Sequence, residues 1–189
     1  MGYAIARVAA ARGALVTLIS GPVALPEPVG VTSIQVTTAL EMQAVLRERY
    51  SAVDVVIKAA AVADYRPVQQ APQKIKKQSL ALNLVLEKNP DLLAELGRNK
   101  TTQILVGFAA ETENLLANAE AKLRGKNLDL IVANDVTAAG AGFGSETNLV
   151  KLLFADGRLE ELPLLAKDEV AGILLDRVLN LLQGRTVQV

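Results

Sequence analysis

The chain has no cysteine, no histidine and no tryptophan, and only three phenylalanines and three tyrosines. Without a thiol or an imidazole it has no Ser-His-Asp triad, no cysteine nucleophile, no disulfide and no ordinary zinc site. Chemistry has to rest on Lys, Asp or Glu, Asn, backbone amides, or an oxygen-bound cation such as Mg²⁺. So few aromatic rings leave little for a base-stacking platform, and twenty cations balance twenty anions. No nucleic-acid partner is therefore expected, and any anion site must be local. Hydrophobic residues make up 51% of the chain, yet no uninterrupted apolar run has the length of a membrane span, so no membrane partner is expected either. The absence of cysteine is compatible with the expected cytoplasmic location. The opening MGYAIARVAAARGALVTLIS reads as a helix and a strand, not as a signal peptide. Gly2 follows Met1 as at a myristoylation start, but Ala6 stands where Ser or Thr is needed.

What is present is an alternation of helix and strand. At 189 residues a single domain over residues 1–189 is expected. Ile5, Val8 and Ala9 suit a small-residue helix, and Leu15 to Ile19 suit a buried strand closed at Gly21-Pro22. After a proline-rich loop comes a strand at Val31 to Val36. Thr38 and Glu41 are spaced as a capping box for a helix carrying Met42, Val45 and Leu46. Further strands are expected at Val53 to Ile57, Leu80 to Leu86, Ile104 to Phe108 and Leu128 to Val132. Asn89 is expected to cap a helix with Pro90 in its first position, and Glu111-Thr112 to open another reaching about Arg124. Asn148 to Phe154 and Leu159 to Leu164 flank Asp156-Gly157 as a β-hairpin, and Lys167 to Leu182 follows as an amphipathic helix. The expected fold is α/β: a Rossmann-like, doubly wound parallel sheet with a C-terminal antiparallel hairpin. A usual first strand and Gly-rich turn are not read before the first helix, so the expectation is either an unusual fold or a chain that lacks them.

Ligands of such sheets bind beyond the carboxyl ends of the strands. The ends here are Ala59-Ala60-Ala61 to Asp64, Asn89-Pro90-Asp91, Phe108 to Glu111, and Ala133-Asn134-Asp135. Between Lys58 and Lys77 a strand runs into small residues, an exposed Asp64-Tyr65-Arg66-Pro67 turn and the cations Lys74, Lys76 and Lys77. Small residues admit a ligand to the backbone, and a cationic flap can close on an anion. Lys122 and Lys126, four apart, share a helix face. Taken singly, each feature has a commoner structural explanation: a solvated lysine face, a well-capped helix, a core phenylalanine. Lys58 itself is read as structural, snorkelling to the surface. GAGFGS after Asp135 does not match the dinucleotide fingerprint. The features converge on one sheet edge, which points to a phosphorylated ligand.

Together, AAAVADYRP, KIKK, KNPDLL, GFAAET, KLRGKNLDLIVAND and GFGSETN resemble phosphopantothenoylcysteine synthetase. In bacteria this is usually the C-terminal half of a bifunctional coenzyme A biosynthesis protein, behind a flavin-dependent decarboxylase to which any FMN would belong. The resemblance implies a Mg²⁺-dependent homodimer with CTP as co-substrate. It joins cysteine to 4′-phosphopantothenate through an acyl-cytidylate. It further implies that Lys58, Ala59 and Ala60 contact the nucleotide by their backbones, that Asp64 faces it, and that Ala61 lies against the acyl-cytidylate. Lys74 would be the functional lysine of the flap. Pro90, Asp91, Leu92 and Leu93 would hold phosphate at a helix start, Phe108 would pack on the cytosine, and Lys122 and Lys126 would complete the triphosphate pocket. The metal ligands stay unassigned.

The same resemblance implies a strand and an Asn-containing turn ahead of Met-Gly, with that Asn and an Arg handling the intermediate. The expectation is that Met1 is an internal methionine or that the chain is a fragment. The alternative reading is then an inactive nucleotide-binding or dimerisation fragment of the same enzyme. An NAD(P) oxidoreductase is disfavoured, since no GxGxxG follows a first strand.

Overall fold

The computed structural model describes residues 1–69, 71–76, 82–111, 114–135 and 144–186, with the backbone alone at Glu111, Asp135, Arg185 and Thr186. In chain order the elements are α1 (Gly2–Ala11), β1 (Val16–Ser20), β2 (Val31–Gln35), α2 (Ala39–Arg49), β3 (Val55–Lys58), β4 (Tyr65–Pro67) and β5 (Leu86–Lys88). They continue with α3 (Leu92–Arg98), β6 (Ile104–Glu111), α4 (Leu115–Gly125), β7 (Leu130–Asp135), β8 (Thr147–Asn148), β9 (Val150–Phe154), β10 (Leu159–Glu161), β11 (Leu165–Ala166) and α5 (Lys167–Thr186).

A five-stranded sheet in the order β10-β9-β7-β6-β3 forms the centre. β3, β6 and β7 run parallel, whereas β9 and β10 are antiparallel. The hairpin expected as an appendage is thus part of the main sheet, because β9 takes the free edge of β7. β1 and β2 pair in parallel as a sheet of their own, with no hydrogen-bonded ladder to β3. The doubly wound α/β class holds, but its parallel strands fall into two groups.

Alternation along each strand sorts side chains onto two faces. On one face Val55, Ile57, Ile104, Val106, Leu130, Val132, Leu152 and Phe154 pack with Ile5 of α1 and with Val170, Leu174 and Val178 of α5. On the other, Val56, Leu105, Ala109, Ile131 and Ala133 meet Leu93 and Leu96 of α3 and Ala119 and Leu123 of α4. A third cluster joins Ile19, Ile34, Met42 and Val45 to Leu92.

The capping box of α2 is present: the Glu41 amide donates to Thr38 Oγ1 at 3.1 Å, and Glu41 Oε2 accepts from the Thr38 amide at 3.4 Å. Several expected boundaries move. Leu15 is fully exposed, so the strand expected to be buried from Leu15 starts at Val16 and is only partly covered. Leu82, Leu84 and Val85 lie outside regular structure and are more than half exposed, since no described residue covers the face their alternation prepares. A short strand follows instead at Leu86–Lys88. It pairs antiparallel with Tyr65–Pro67, which was expected to be a turn. β6 and β7 outrun their expected ends because each supplies the other's ladder as far as Glu111↔Asp135. α4 accordingly begins at Leu115 rather than at Glu111, and Thr112 lies outside the described residues. Lys77, Leu80 and most of the Gly-rich stretch after Asp135 also lie outside them.

Candidate functional site

Lys58 is the last residue of β3 and stands opposite Gly107 of β6. Val56 packs on the α3/α4 face, so alternation turns Lys58 to that face as well. Its ammonium donates to the Ala60 carbonyl at 2.9 Å, closing the turn that carries Ala59, Ala60 and Ala61. Burial lowers the Lys58 pKa, and nearby Lys126 and Lys122 push the same way, while Asp91 and Asp64 oppose them. Among the described residues, five charged side chains from four separate segments therefore lie near one another beyond the β3 end: Lys58, Asp64, Asp91, Lys122 and Lys126.

α3 starts two residues later than expected, at Leu92 rather than Pro90. Asp91, not Asn89, is its N-cap: Asp91 Oδ1 accepts from the Ala94 amide at 3.1 Å. Asn89 is taken up elsewhere. Its Nδ2 donates to the Ala63 carbonyl at 2.8 Å, its amide donates to the Asp64 carbonyl at 2.8 Å, and its Oδ1 accepts from Arg66 at 3.1 Å. Asn89 therefore clamps the base of the β4–β5 ribbon to the strand-end turn, and Pro90 sits between that clamp and the cap.

Lys126, just past α4, reaches Asp91 Oδ2 at 2.9 Å. Burial works to raise the Asp91 carboxyl. The Lys126 hydrogen bond, the Ala94 amide and the charges of Lys126 and Lys58 outweigh it and hold the pKa below its ordinary value. Lys122 lies one turn earlier on α4 and is half-buried, as is Lys126. Leu92 and Leu93 are buried; Leu92 packs against the α2 cluster and Leu93 lies over Gly107. A Cβ at Gly107 would come within 2.9 Å of Leu93 Cδ2 and 2.8 Å of Leu128 Cδ1. The bare backbone there is what lets α3 settle against the strand end.

Two expected members stand apart. Phe108 is half-buried and packs with the α1/α5 cluster, on the opposite face from the lysines. A ligand touching Phe108 and Lys126 together must lie across the carboxyl edge of the sheet. Lys74 is exposed on the segment carried by the ribbon, outside regular structure.

Gly97 escaped the sequence reading. A Cβ there would stand 1.9 Å from the Lys126 carbonyl oxygen. Asn127 Nδ2 donates to the Gly97 carbonyl at 2.9 Å, so the backbone beneath Lys126 rests directly on α3. The only signal in the sequence was a glycine inside an otherwise helical run.

A cavity of about 480 Å³ opens at the other end of the sheet, between α4 and the β9–β10 hairpin, lined by Leu116, Leu123, Leu128, Phe154, Arg158 and Leu159. None of Lys58, Asp64, Asp91, Lys122 and Lys126 lines it. No helix among the described residues is long and apolar enough to cross a membrane.

In open α/β sheets, the crevice beyond the carboxyl ends of the parallel strands is where ligands bind, and here cations gather at that edge. Residues 1–182 match the DNA/pantothenate metabolism flavoprotein C-terminal domain, and the chain belongs to that family. It is 49% identical over 179 residues to the coenzyme A biosynthesis bifunctional protein CoaBC of Bacillus subtilis, covering 94% of this chain and 44% of that protein. The Escherichia coli K12 protein of the same name is 46% identical over 184 residues, covering 95% and 45%. The crystal structure of the C-terminal domain of a CoaBC protein superposes with a TM-score of 0.82 at 43% identity, covering 96% of this chain and 82% of that one. The chain thus spans less than half the length of the bifunctional relatives it matches.

Proposed function

We propose that this chain is a phosphopantothenate–cysteine ligase domain, formed by residues 1–189 as one unit, which uses CTP to join cysteine to 4′-phosphopantothenate. The observation that carries this reading is the meeting of Lys58, Lys122 and Lys126 beside the Ala59–Ala61 turn at the sheet edge. The names of the relatives, taken from coenzyme A biosynthesis, support it. In the first step a carboxylate oxygen of the substrate attacks the α-phosphorus of CTP, a P–O bond forms and pyrophosphate leaves. In the second, the cysteine amine attacks the acyl carbon, the C–N bond forms and CMP leaves with the electron pair of the broken bond.

Phosphoryl chemistry of this kind is accelerated mainly by positioning and by positive charge on the departing oxygens. Lys122 and Lys126 are assigned to the triphosphate, together with the backbone amides from Pro90 to Leu93. The backbones of Lys58, Ala59 and Ala60, with Asp64, are assigned to the nucleotide, and Ala61 to the acyl-cytidylate. Phe108 is assigned to the cytosine, across the strand edge, and Lys74 to a flap closing over the reacting atoms.

No group of three carboxylates able to cage a cation occurs among the described residues. In this proposal Mg²⁺ is carried in on the nucleotide phosphates, where it would neutralise charge. Homodimerisation and a cytoplasmic location belong to the same proposal, as does a fused or associated decarboxylase that would hold any FMN.

The test is pyrophosphate release from CTP by the purified chain, with and without 4′-phosphopantothenate, and product analysis after adding cysteine. Release that requires phosphopantothenate, followed by a cysteine adduct, is the expected result. Saturable CTP binding with no pyrophosphate release would instead identify an inactive nucleotide-binding fragment. No CTP binding would overturn the proposal.

A further inference from the structure

The side chain of Lys58 has no part in that assignment, which uses its backbone only. It is an ammonium at the end of an apolar strand, half-buried between β6 and the α3/α4 layer. Of its three N–H donors, one is spent on the Ala60 carbonyl at 2.9 Å, and the other two have no protein acceptor among the described residues. Among the described residues, three cations and two carboxylates lie near the spot. The carboxylates do not neutralise Lys58 as a partner would. Asp91 is committed to Lys126 at 2.9 Å and to the Ala94 amide at 3.1 Å, and no hydrogen bond joins Lys58 to Asp64 among the described contacts. A desolvated ammonium beside two other lysines is unfavourable until an anion arrives.

We infer that the Lys58 side chain is the third cation of a polyphosphate cradle completed by Lys122 and Lys126, and that its bond to Ala60 holds the strand-end turn in register with that cradle. The ligand class is a nucleoside triphosphate, recognised through its β- and γ-phosphates. The inference rests on the nucleotide reading above and extends it to a side chain. Burial depresses the pKa of Lys58, as expected of an ammonium awaiting a counter-charge. The geometry also explains why a lysine, with its compact and rotatable donors, suits the position: one N–H can stay on Ala60 while two turn to phosphate oxygens. Lys58 is a positioning residue for the turn and a binding residue for the phosphates.

Calorimetric titration of CTP and CMP into the wild-type chain, Lys58→Met and Lys58→Arg tests this. Methionine keeps the length and apolar stem of the side chain and removes the charge. The expected result is that Lys58→Met weakens CTP binding about 10- to 100-fold, the worth of a hydrogen bond to a charged group, with CMP, which meets the turn but not the β- and γ-phosphate cradle, weakened clearly less and Lys58→Arg restoring part of the loss. CTP affinity unchanged, or CTP and CMP weakened equally, overturns the inference. Should Lys58→Met fail to fold, limited acetylation of the wild type read by mass spectrometry decides the matter. Inorganic tripolyphosphate should protect Lys58 together with Lys122 and Lys126, and protection of the latter two alone overturns the inference. Protection of all three by tripolyphosphate, with no binding of CTP, would remove the nucleotide reading while leaving Lys58 in a polyphosphate site.

Discussion

Lys126 touches both ends of α3: its ammonium lies 2.9 Å from Asp91 Oδ2 at the N-cap, and its carbonyl rests against Gly97 near the C-terminus. A seven-residue helix is thus held at either end by one lysine. The position of the ammonium in the site is set by how that helix packs.

The carboxylate end can be tested by pH. The Asp91 pKa in the folded chain lies below its ordinary value of 3.8. A depressed carboxylate contributes stability above its unfolded pKa and loses it as pH falls through the folded value. Asp91→Asn keeps the capping oxygen and removes the charge. Urea denaturation should show wild type more stable than the variant by a constant margin between about pH 5 and 8, shrinking below about pH 4. A margin that persists undiminished at the acid end would mean that the charge is not its source.

The glycine end makes a steric prediction. A methyl group at Gly97 meets the Lys126 carbonyl oxygen at 1.9 Å and its carbon at 2.8 Å, and backbone cannot step aside as a side chain can. Gly97→Ala should cost about 2 kcal/mol or more and weaken CTP binding along with stability. At Gly125 an added methyl meets nothing within 4 Å. Gly125→Ala should therefore be neutral, or stabilise by up to about 1 kcal/mol through helix propensity. Equal effects at the two positions would remove the packing argument.

Lys100 and Asp129 form an ion pair with each side chain only 10% exposed. Lys100 also donates to the Asn127 carbonyl at 2.7 Å, and Asp129 Oδ2 accepts from the Leu105 amide at 2.7 Å. Lys100→Met removes a buried counter-charge of Asp129, which should cost about 3 kcal/mol or more. Denaturant midpoints measure this, and a loss below about 0.5 kcal/mol would show the pair to be solvated like a surface bridge.

Lys74→Gln separates catalysis from folding. Lys74 is exposed, so the thermal midpoint should stay within the shift expected of about 0.5 kcal/mol for a surface change. Ligation should be abolished if this lysine is the flap cation. Wild-type turnover in the variant would refute that assignment.

Much of this was legible along the chain. Thr38 and Glu41 announce their capping box because both partners lie within one turn. Asp156-Gly157 announces its hairpin, and the Lys122/Lys126 spacing announces a shared face. The misreadings share one cause. Asn89 and Asp91 are both good N-caps by residue type, and the choice went to Asp91 because Asn89 was drawn to Ala63 and Arg66 in the ribbon. Tyr65–Pro67 became a strand only because Leu86–Lys88, some twenty residues on, offered it an edge. Alternation along β6 likewise puts Phe108 on the α1/α5 face, across the strand edge from the lysines, which residue order alone does not show.

The sequence by itself determined the order of helices and strands, the caps and turns made by residues within a few positions of one another, and the family. Short-range sterics and hydrogen bonding suffice for these. Only the tertiary structure decided which face Lys58 presents, that Asp91 holds Lys126, and that Gly97 must be bare. Those contacts join positions about 30 or more residues apart, and register, packing and competition for hydrogen-bond partners select among them.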